Sequence, residues 1–242
     1  MEHKPAGVAF DLDGTLYPNY RLNVLLIPFV LKEWRFLRAF GKARNIIRKA
    51  QEKEPPVSKP SASTPPSSAE PSPPDFYEVQ ARWTAEILKA DPPLIKERIE
   101  TLIYRGWEPF FKRIRLFPHV EESLRAFRAG GLKLGLLSDF PPERKVEYLG
   151  LAGFWDALLC SERIGWLKPD PRPFWRLAET MGIPPERLLY VGNSRRCDVY
   201  GAKQAGLRTA LIGSSLNVRG RRWGRADFVF RDYRQLMNYV LS

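Results

Sequence analysis

Asp11-Leu12-Asp13-Gly14-Thr15-Leu16, preceded by the apolar run Val8-Ala9-Phe10, is the stretch that decides the fold of this chain. Two carboxylates stand one residue apart where a short strand runs out, and Gly14 lets the backbone turn sharply behind them. In an open α/β sheet, ligands bind in the crevice beyond the carboxyl ends of the strands. Two acids at such a mouth can divide labour, one attacking an electrophile while the other holds a proton for a leaving oxygen. The same residues can also be an Asp-rich turn that merely closes a strand, so partners elsewhere in the chain decide between the readings.

Three partners follow in order, each near the end of an apolar run. Leu132-Lys133-Leu134-Gly135-Leu136-Leu137 ends in Ser138-Asp139; Leu167-Lys168-Pro169-Asp170 precedes a helix; Leu188-Leu189-Tyr190-Val191-Gly192 ends in Asn193, with Asp198 five residues later. The set resembles the haloacid dehalogenase superfamily, phosphatase branch, over about residues 6 to 17 and 116 to 240. That family carries a D-x-D-G-T nucleophile loop, a Ser or Thr after the second core strand, a Lys, and an acidic pair after a glycine. The resemblance implies a magnesium-dependent phosphomonoester hydrolase that works through an aspartyl-phosphate on a small phosphorylated metabolite. Asp11 is then the nucleophile, since a carboxylate attacks at neutral pH without a base. Asp13 protonates the leaving alcohol and then activates water. Ser138 gives a hydroxyl donor and Lys168 a point charge to the phosphoryl oxygens, where negative charge spreads. Mg2+ is implied as cofactor, held by Asp11, the backbone carbonyl of Asp13, Asn193 and Asp198. This all-oxygen set suits an ion that accepts few protein ligands and keeps its waters.

One position departs from the family pattern. Asn193 stands where most members carry Asp, and the loss of one negative charge is expected to weaken magnesium affinity. Two alternatives are therefore kept: a catalytically weak member that binds an anionic partner, and, as a minor branch, a haloacid dehalogenase. The metal-independent dehalogenases lack the second carboxylate of the first motif, whereas Asp13 is present here.

Alternating apolar runs and helical stretches through residues 116 to 240 predict an α/β fold, a Rossmann-like three-layer core with a parallel sheet and helices on both faces. Strands are expected to end near Phe10, Leu137, Leu159, Val191 and Ile212, with a last one at Phe228-Val229-Phe230. Helices are expected at Val120 to Arg128, Glu143 to Leu149, Pro173 to Met181, Val199 to Ala205 and Tyr233 to Leu241. The core thus takes residues 1–17 and 116–242, and residues 18–115 form an inserted α-helical cap, which in the family covers the site, excludes water and chooses substrates.

Inside the insertion, residues 21–50 read as one long helix. Leu26, Val30, Leu37, Phe40 and Ile47 recur at three- or four-residue steps, one intervening step at Glu33 is polar, and Pro28 starts or kinks the helix. Residues 51–74, rich in Pro and Ser, are expected to be a flexible loop. Two more stripes follow, Phe76, Val79, Trp83, Ile87 and Leu88, then Leu94, Ile95, Ile99, Leu102 and Ile103, the second opened by Asp91 as N-cap.

The 242 residues carry a net charge of +12, and positions 21 to 54 hold nine basic against three acidic residues. This cationic helix can present a solvated face, steer a negative substrate, or give peripheral contact with an anionic membrane or nucleic acid. Leu22 to Leu31 is too short and interrupted to span a bilayer, no secretory signal precedes Val8, and a cytoplasmic location is expected. Cys160 and Cys197 have no zinc or disulfide spacing, and His3 and His119 show no ligand pattern. Asp139 is read as a cap before Pro141-Pro142, Asp198 as a residue that can also open a helix, Arg195 and Arg196 as exposed loop residues with a substrate phosphate as the alternative contact, and Arg219 to Arg225 as a solvated basic loop with pairing to an anionic partner as the alternative.

Overall fold

A computed structural model describes residues 4–54, 75–213 and 224–242. Six strands form one sheet: β1 (Gly7–Phe10), β2 (Lys133–Ser138), β3 (Ala157–Cys160), β4 (Leu188–Gly192), β5 (Arg208–Ile212) and β6 (Phe228–Phe230). Their order is β3-β2-β1-β4-β5-β6, and all pairs are parallel. Parallel strands are covered on both faces, so they read as near-continuous apolar runs, which is why these segments stand out in the sequence.

Nine helices, α1 (Asn19–Gln51), α2 (Phe76–Leu88), α3 (Pro92–Ile99), α4 (Val120–Ala129), α5 (Glu143–Tyr148), α6 (Ser161–Ile164), α7 (Arg172–Met181), α8 (Gly201–Gln204) and α9 (Tyr233–Leu241), complete the described residues together with short 3-10 and π turns. Side chains of a strand alternate between faces. Val8 and Phe10 of β1 and Leu189 and Val191 of β4 pack with Leu124 and Phe127 of α4 and Leu236 of α9. Ala9, Leu188 and Tyr190 point the other way, onto Phe174, Leu177 and Met181 of α7 and Ala202 of α8. The core is therefore three layers, as the apolar pattern predicts. Asp232 and Gln235 close a capping box on α9, and α7 ends at Gly182 in the left-handed conformation.

Between β1 and β2 the chain builds a helical unit. Phe36 and Phe40 of α1 pack on Ala81 and Ala85 of α2, Ile95 and Ile99 of α3 and Ile103 of the π turn that follows. Several details differ from the sequence reading. Pro28 lies inside α1 without breaking it, and the helical angles lapse at Glu33 (φ −111°, ψ 19°), whose carboxylate accepts from Arg98 at 2.5 Å. Val30 and Leu94, placed on apolar stripes, are exposed. On α2 the buried face is Phe76, Gln80, Ala81, Thr84 and Ala85, because polar Gln80 is held inside by hydrogen bonds. Asp91 occupies the N-cap position of α3 but makes no side-chain cap bond. In place of one helix from Val199 to Ala205, a π turn, Arg195–Tyr200, runs into the short α8. Residues 55–74, His3 and positions 219–223 of the basic loop lie outside the described residues. No helix among the described residues is long and apolar enough to cross a membrane.

Candidate active site

Register brings the motif residues together. Phe10 pairs with Leu136 on one side and Val191 on the other, so the residues that follow β1, β2 and β4 emerge at one edge of the sheet. The edge lies where strand order reverses around β1, the place at which open α/β sheets bind ligands. Asp11, anchored by its N–H to the Val191 carbonyl (2.9 Å), is 6 % exposed. Its Oδ1 accepts from Lys168 Nζ at 2.7 Å and its Oδ2 from Thr15 Oγ1 at 2.7 Å.

Lys168 reaches this point from the segment after α6. Its ammonium is buried between two carboxylates, donating to Asp198 Oδ1 at 2.8 Å as well as to Asp11, and to the Tyr190 hydroxyl at 3.2 Å. The second oxygen of Asp198 accepts the backbone N–H groups of Asn193 (3.1 Å) and Ser194 (2.9 Å). Asp198 therefore faces the strand ends and does not cap the following turn. Ser194 does that, accepting from the Cys197 N–H at 3.1 Å.

Electrostatics follow from burial. Burial, opposed by Lys168 and reinforced by Asp198 and Asp13, pushes the Asp11 carboxyl up to about 7. Burial alone would lower Lys168, yet Asp11 and Asp198 hold its ammonium well above the ordinary range. A permanent positive charge thus sits within hydrogen-bond reach of the first carboxylate.

Asp13 is oriented differently. Its carboxylate takes both oxygens to Lys145 Nζ of α5 (2.9 and 2.8 Å) and also accepts from the Tyr17 hydroxyl. Burial and Asp13 push the Tyr17 phenol well above its ordinary value, so it stays a donor. Ser138 is fully buried at the end of β2, and its Oγ accepts the Phe140 N–H at 3.2 Å, leaving its own proton to give. Asn193 Nδ2 donates to the Asp13 carbonyl at 3.2 Å. That approach needs Gly14: with φ at +87°, a Cβ there would fall 2.0 Å from Asn193 Nδ2.

The haloacid dehalogenase-like hydrolase family model matches residues 5–206, the stretch that carries every residue of this cluster. The chain belongs to that family. Among curated relatives of this hydrolase, a phosphoglycolate phosphatase of Escherichia coli (strain K12) is 31% identical, the match covering 83% of this chain and 78% of that protein. Among solved structures, a HAD phosphatase from Thermococcus onnurineus superposes with a TM-score of 0.60 at 22% identity, covering 97% of each chain. An L-2-haloacid dehalogenase from Xanthobacter autotrophicus gives a TM-score of 0.63 at 18% identity, covering 98% of each chain. The two structural likenesses establish the shared fold.

The donor set of this hydrolase fits a hard divalent cation. Among the described residues no three His, Cys, Asp or Glu side chains cluster as ligands. The site instead offers the carboxylates of Asp11 and Asp198, a backbone carbonyl at Asp13 and the amide of Asn193, whose Nδ2 faces that carbonyl, so its oxygen would serve a cation only with the amide reversed. An ion that takes few protein oxygens and keeps waters suits this set.

Four neighbours were not singled out in the sequence: Lys145, Tyr17, Thr15 and Tyr190. Tyr17 and Thr15 lie four residues after the carboxylates they serve, a spacing that reach alone makes testable. Asp139 also proves different from a turn cap. It accepts from Arg48 Nη2 (2.6 Å), Ser161 Oγ (2.6 Å) and the Lys168 N–H (3.2 Å), so it ties α1 to the Lys168 segment. Burial alone would raise it, but Arg48, Lys168 and Arg44 together hold its carboxyl well below the usual range. The last turn of α1 reinforces the tie, with Arg48 Nε on the Lys168 carbonyl (3.1 Å) and Gln51 Nε2 on the Gly165 carbonyl (2.9 Å). Arg195 and Arg196 are part-buried, and Arg196 donates to Glu52 at 2.5 Å.

Proposed function

We propose that this hydrolase is a magnesium-dependent phosphomonoesterase that acts on a phosphorylated metabolite through an aspartyl-phosphate on Asp11. The observation that carries the reading is the buried Asp11, Lys168, Asp198 cluster at the strand-order reversal. In the first half, an oxygen of Asp11 attacks phosphorus, the bond from phosphorus to the ester oxygen breaks, and Asp13 gives that oxygen a proton. In the second half, Asp13 takes a proton from water, the water oxygen attacks phosphorus, and the Asp11 carboxylate leaves with release of inorganic phosphate. Lys168 and the Ser138 hydroxyl hold the phosphoryl oxygens as charge spreads over them. Asp11, Asp198, the Asp13 carbonyl and Asn193 would hold Mg2+, which supplies charge neutralisation for the transferring group. Lys145 and Tyr17 keep Asp13 aimed.

The relationship to a phosphoglycolate phosphatase supports the phosphoryl reading over dehalogenation. The direct experiment follows hydrolysis of an aryl phosphate by wild type and Asp11→Asn, with and without magnesium. Metal-dependent turnover that falls by at least about a thousandfold in the variant is expected. Absent turnover in wild type, with salt-sensitive binding to anionic lipid or nucleic acid that survives Asp11→Asn, would replace an enzyme with a binding protein.

A further inference from the structure

A cleft of about 740 Å³ is bounded by α1, Trp107 and Phe140; none of Asp11, Asp13, Ser138, Lys168, Asn193 or Asp198 lines it, and Phe140 and Arg48 link it to them. Its wall is mainly apolar, made by Leu26, Leu37, Phe40, Trp107 and Phe140, with Asn23 and Asn45 among them. The two charged residues lining it are Arg44 and Arg48, whose charges are paired with Glu162 and Asp139, while Arg44 Nη2 and Trp107 Nε1 are buried donors without a hydrogen-bond partner. The wall touches the site directly. Phe140 donates its N–H to Ser138 Oγ (3.2 Å), its ring lies 5.2 Å from the Lys145 ammonium that holds Asp13, and Arg48 bonds the Lys168 carbonyl. At the mouth, Ile27, Val30 and Leu31 line the cleft and are also 51, 42 and 72 % exposed.

We propose that this cleft receives the hydrocarbon part of an amphiphilic phosphomonoester, with the phosphate at Asp11 and an extended apolar chain running along α1 toward Leu31. The proposal rests on the phosphomonoesterase reading above and names its substrate class. Size is the first argument, since pockets for ligands of many heavy atoms span about 300–1,000 Å³, far more than a two-carbon phosphate fills. Charge is the second. A substrate with another anionic group would bring it against a mainly apolar wall whose two arginine charges are already paired with Glu162 and Asp139, and burying an unpaired charge is costly. An apolar chain meets no such penalty, and each methylene removed from water is worth about fourfold in affinity (~0.8 kcal/mol).

The test measures kcat/KM of the full-length protein with magnesium for ethyl, butyl and octyl phosphate below their aggregation concentrations, beside glycerol phosphate as a polar ester. On this proposal kcat/KM should rise by at least about tenfold from ethyl to octyl, a fraction of what six fully buried methylenes would give. Leu31→Asp, a change at an exposed position, should bring the octyl-to-ethyl ratio toward one. Calorimetry on Asp11→Asn gives a readout independent of turnover, with octyl phosphate binding more tightly than ethyl phosphate. A flat series, or a preference for glycerol phosphate, with magnesium-dependent hydrolysis intact overturns the substrate class and leaves the phosphatase standing. A chain-length preference that both Leu31→Asp and Phe40→Ser leave unchanged overturns the placement in this cleft. No hydrolysis of any ester removes the phosphomonoesterase reading and this proposal together.

Discussion

The two halves of α1 share a sequence period and meet opposite fates. Before Glu33, Tyr20, Val24, Ile27, Val30 and Leu31 are exposed, and only Leu22 and Leu26 of the large side chains are buried. After it, Phe36, Phe40 and Ile47 are buried, and Arg44, Arg48 and Gln51 reach the core. Apolar spacing makes both halves helical and amphipathic. What separates them is the polar anchors: Arg44 pairs with Glu162 and Gln80 and lies 4.2 Å over the Phe140 ring, and Tyr104 also donates to Glu162. A helix face is covered where buried charges fix its partner and stays open where none do.

Removing an anchor should break the second half most. Arg44→Met leaves the Glu162 carboxylate buried and unpaired, and we expect a loss of about 3–5 kcal/mol in denaturant unfolding. A loss below about 1 kcal/mol would mean that packing alone holds this half. Asp139→Asn should cost less, about 1.5–3 kcal/mol, the scale of hydrogen bonds to a charged group. Its pH dependence sharpens the contrast. The folded carboxyl is held low, so its stabilisation is complete above its unfolded value near 4 and is lost as pH falls through the folded value. Wild type should therefore lose stability on acidification below about pH 4 more steeply than Asp139→Asn, read as thermal midpoints. Equal slopes would remove Asp139 from the tie. In the first half, Leu31→Ser and Val24→Ser should each shift stability by no more than about 0.5 kcal/mol, because both side chains already face solvent. A larger loss would show that this face is covered.

The same contrast explains what the sequence discloses. Strands β1, β2 and β4 are buried on both faces and therefore written as unbroken apolar runs, and a catalytic motif at a strand end inherits its position from that run. The strand-end positions of Asp11, Ser138 and Asn193 are legible for this reason, whereas Lys168 lies after α6 and Asp198 in the turn after β4, where no strand marks them. Lys145, Gln80 and Glu162 were not legible, since each acts through one bond to a residue far along the chain and no period marks it. Buried Gln80 also shifted the covered face of α2 away from its apolar stripe. Likewise, the spacing of Val30 with Leu26 and Leu37 states that a face is apolar, not that something lies against it.

The most direct test of the central claim is a rapid acid quench of wild-type protein turning over an aryl phosphate with magnesium, followed by mass spectrometry of its peptides. The account predicts a phosphoryl group on the peptide bearing Asp11, absent from Asp11→Asn and released as inorganic phosphate on longer incubation. Turnover with no phosphorylated Asp11 at any quench time, or with the group on another residue, would contradict it.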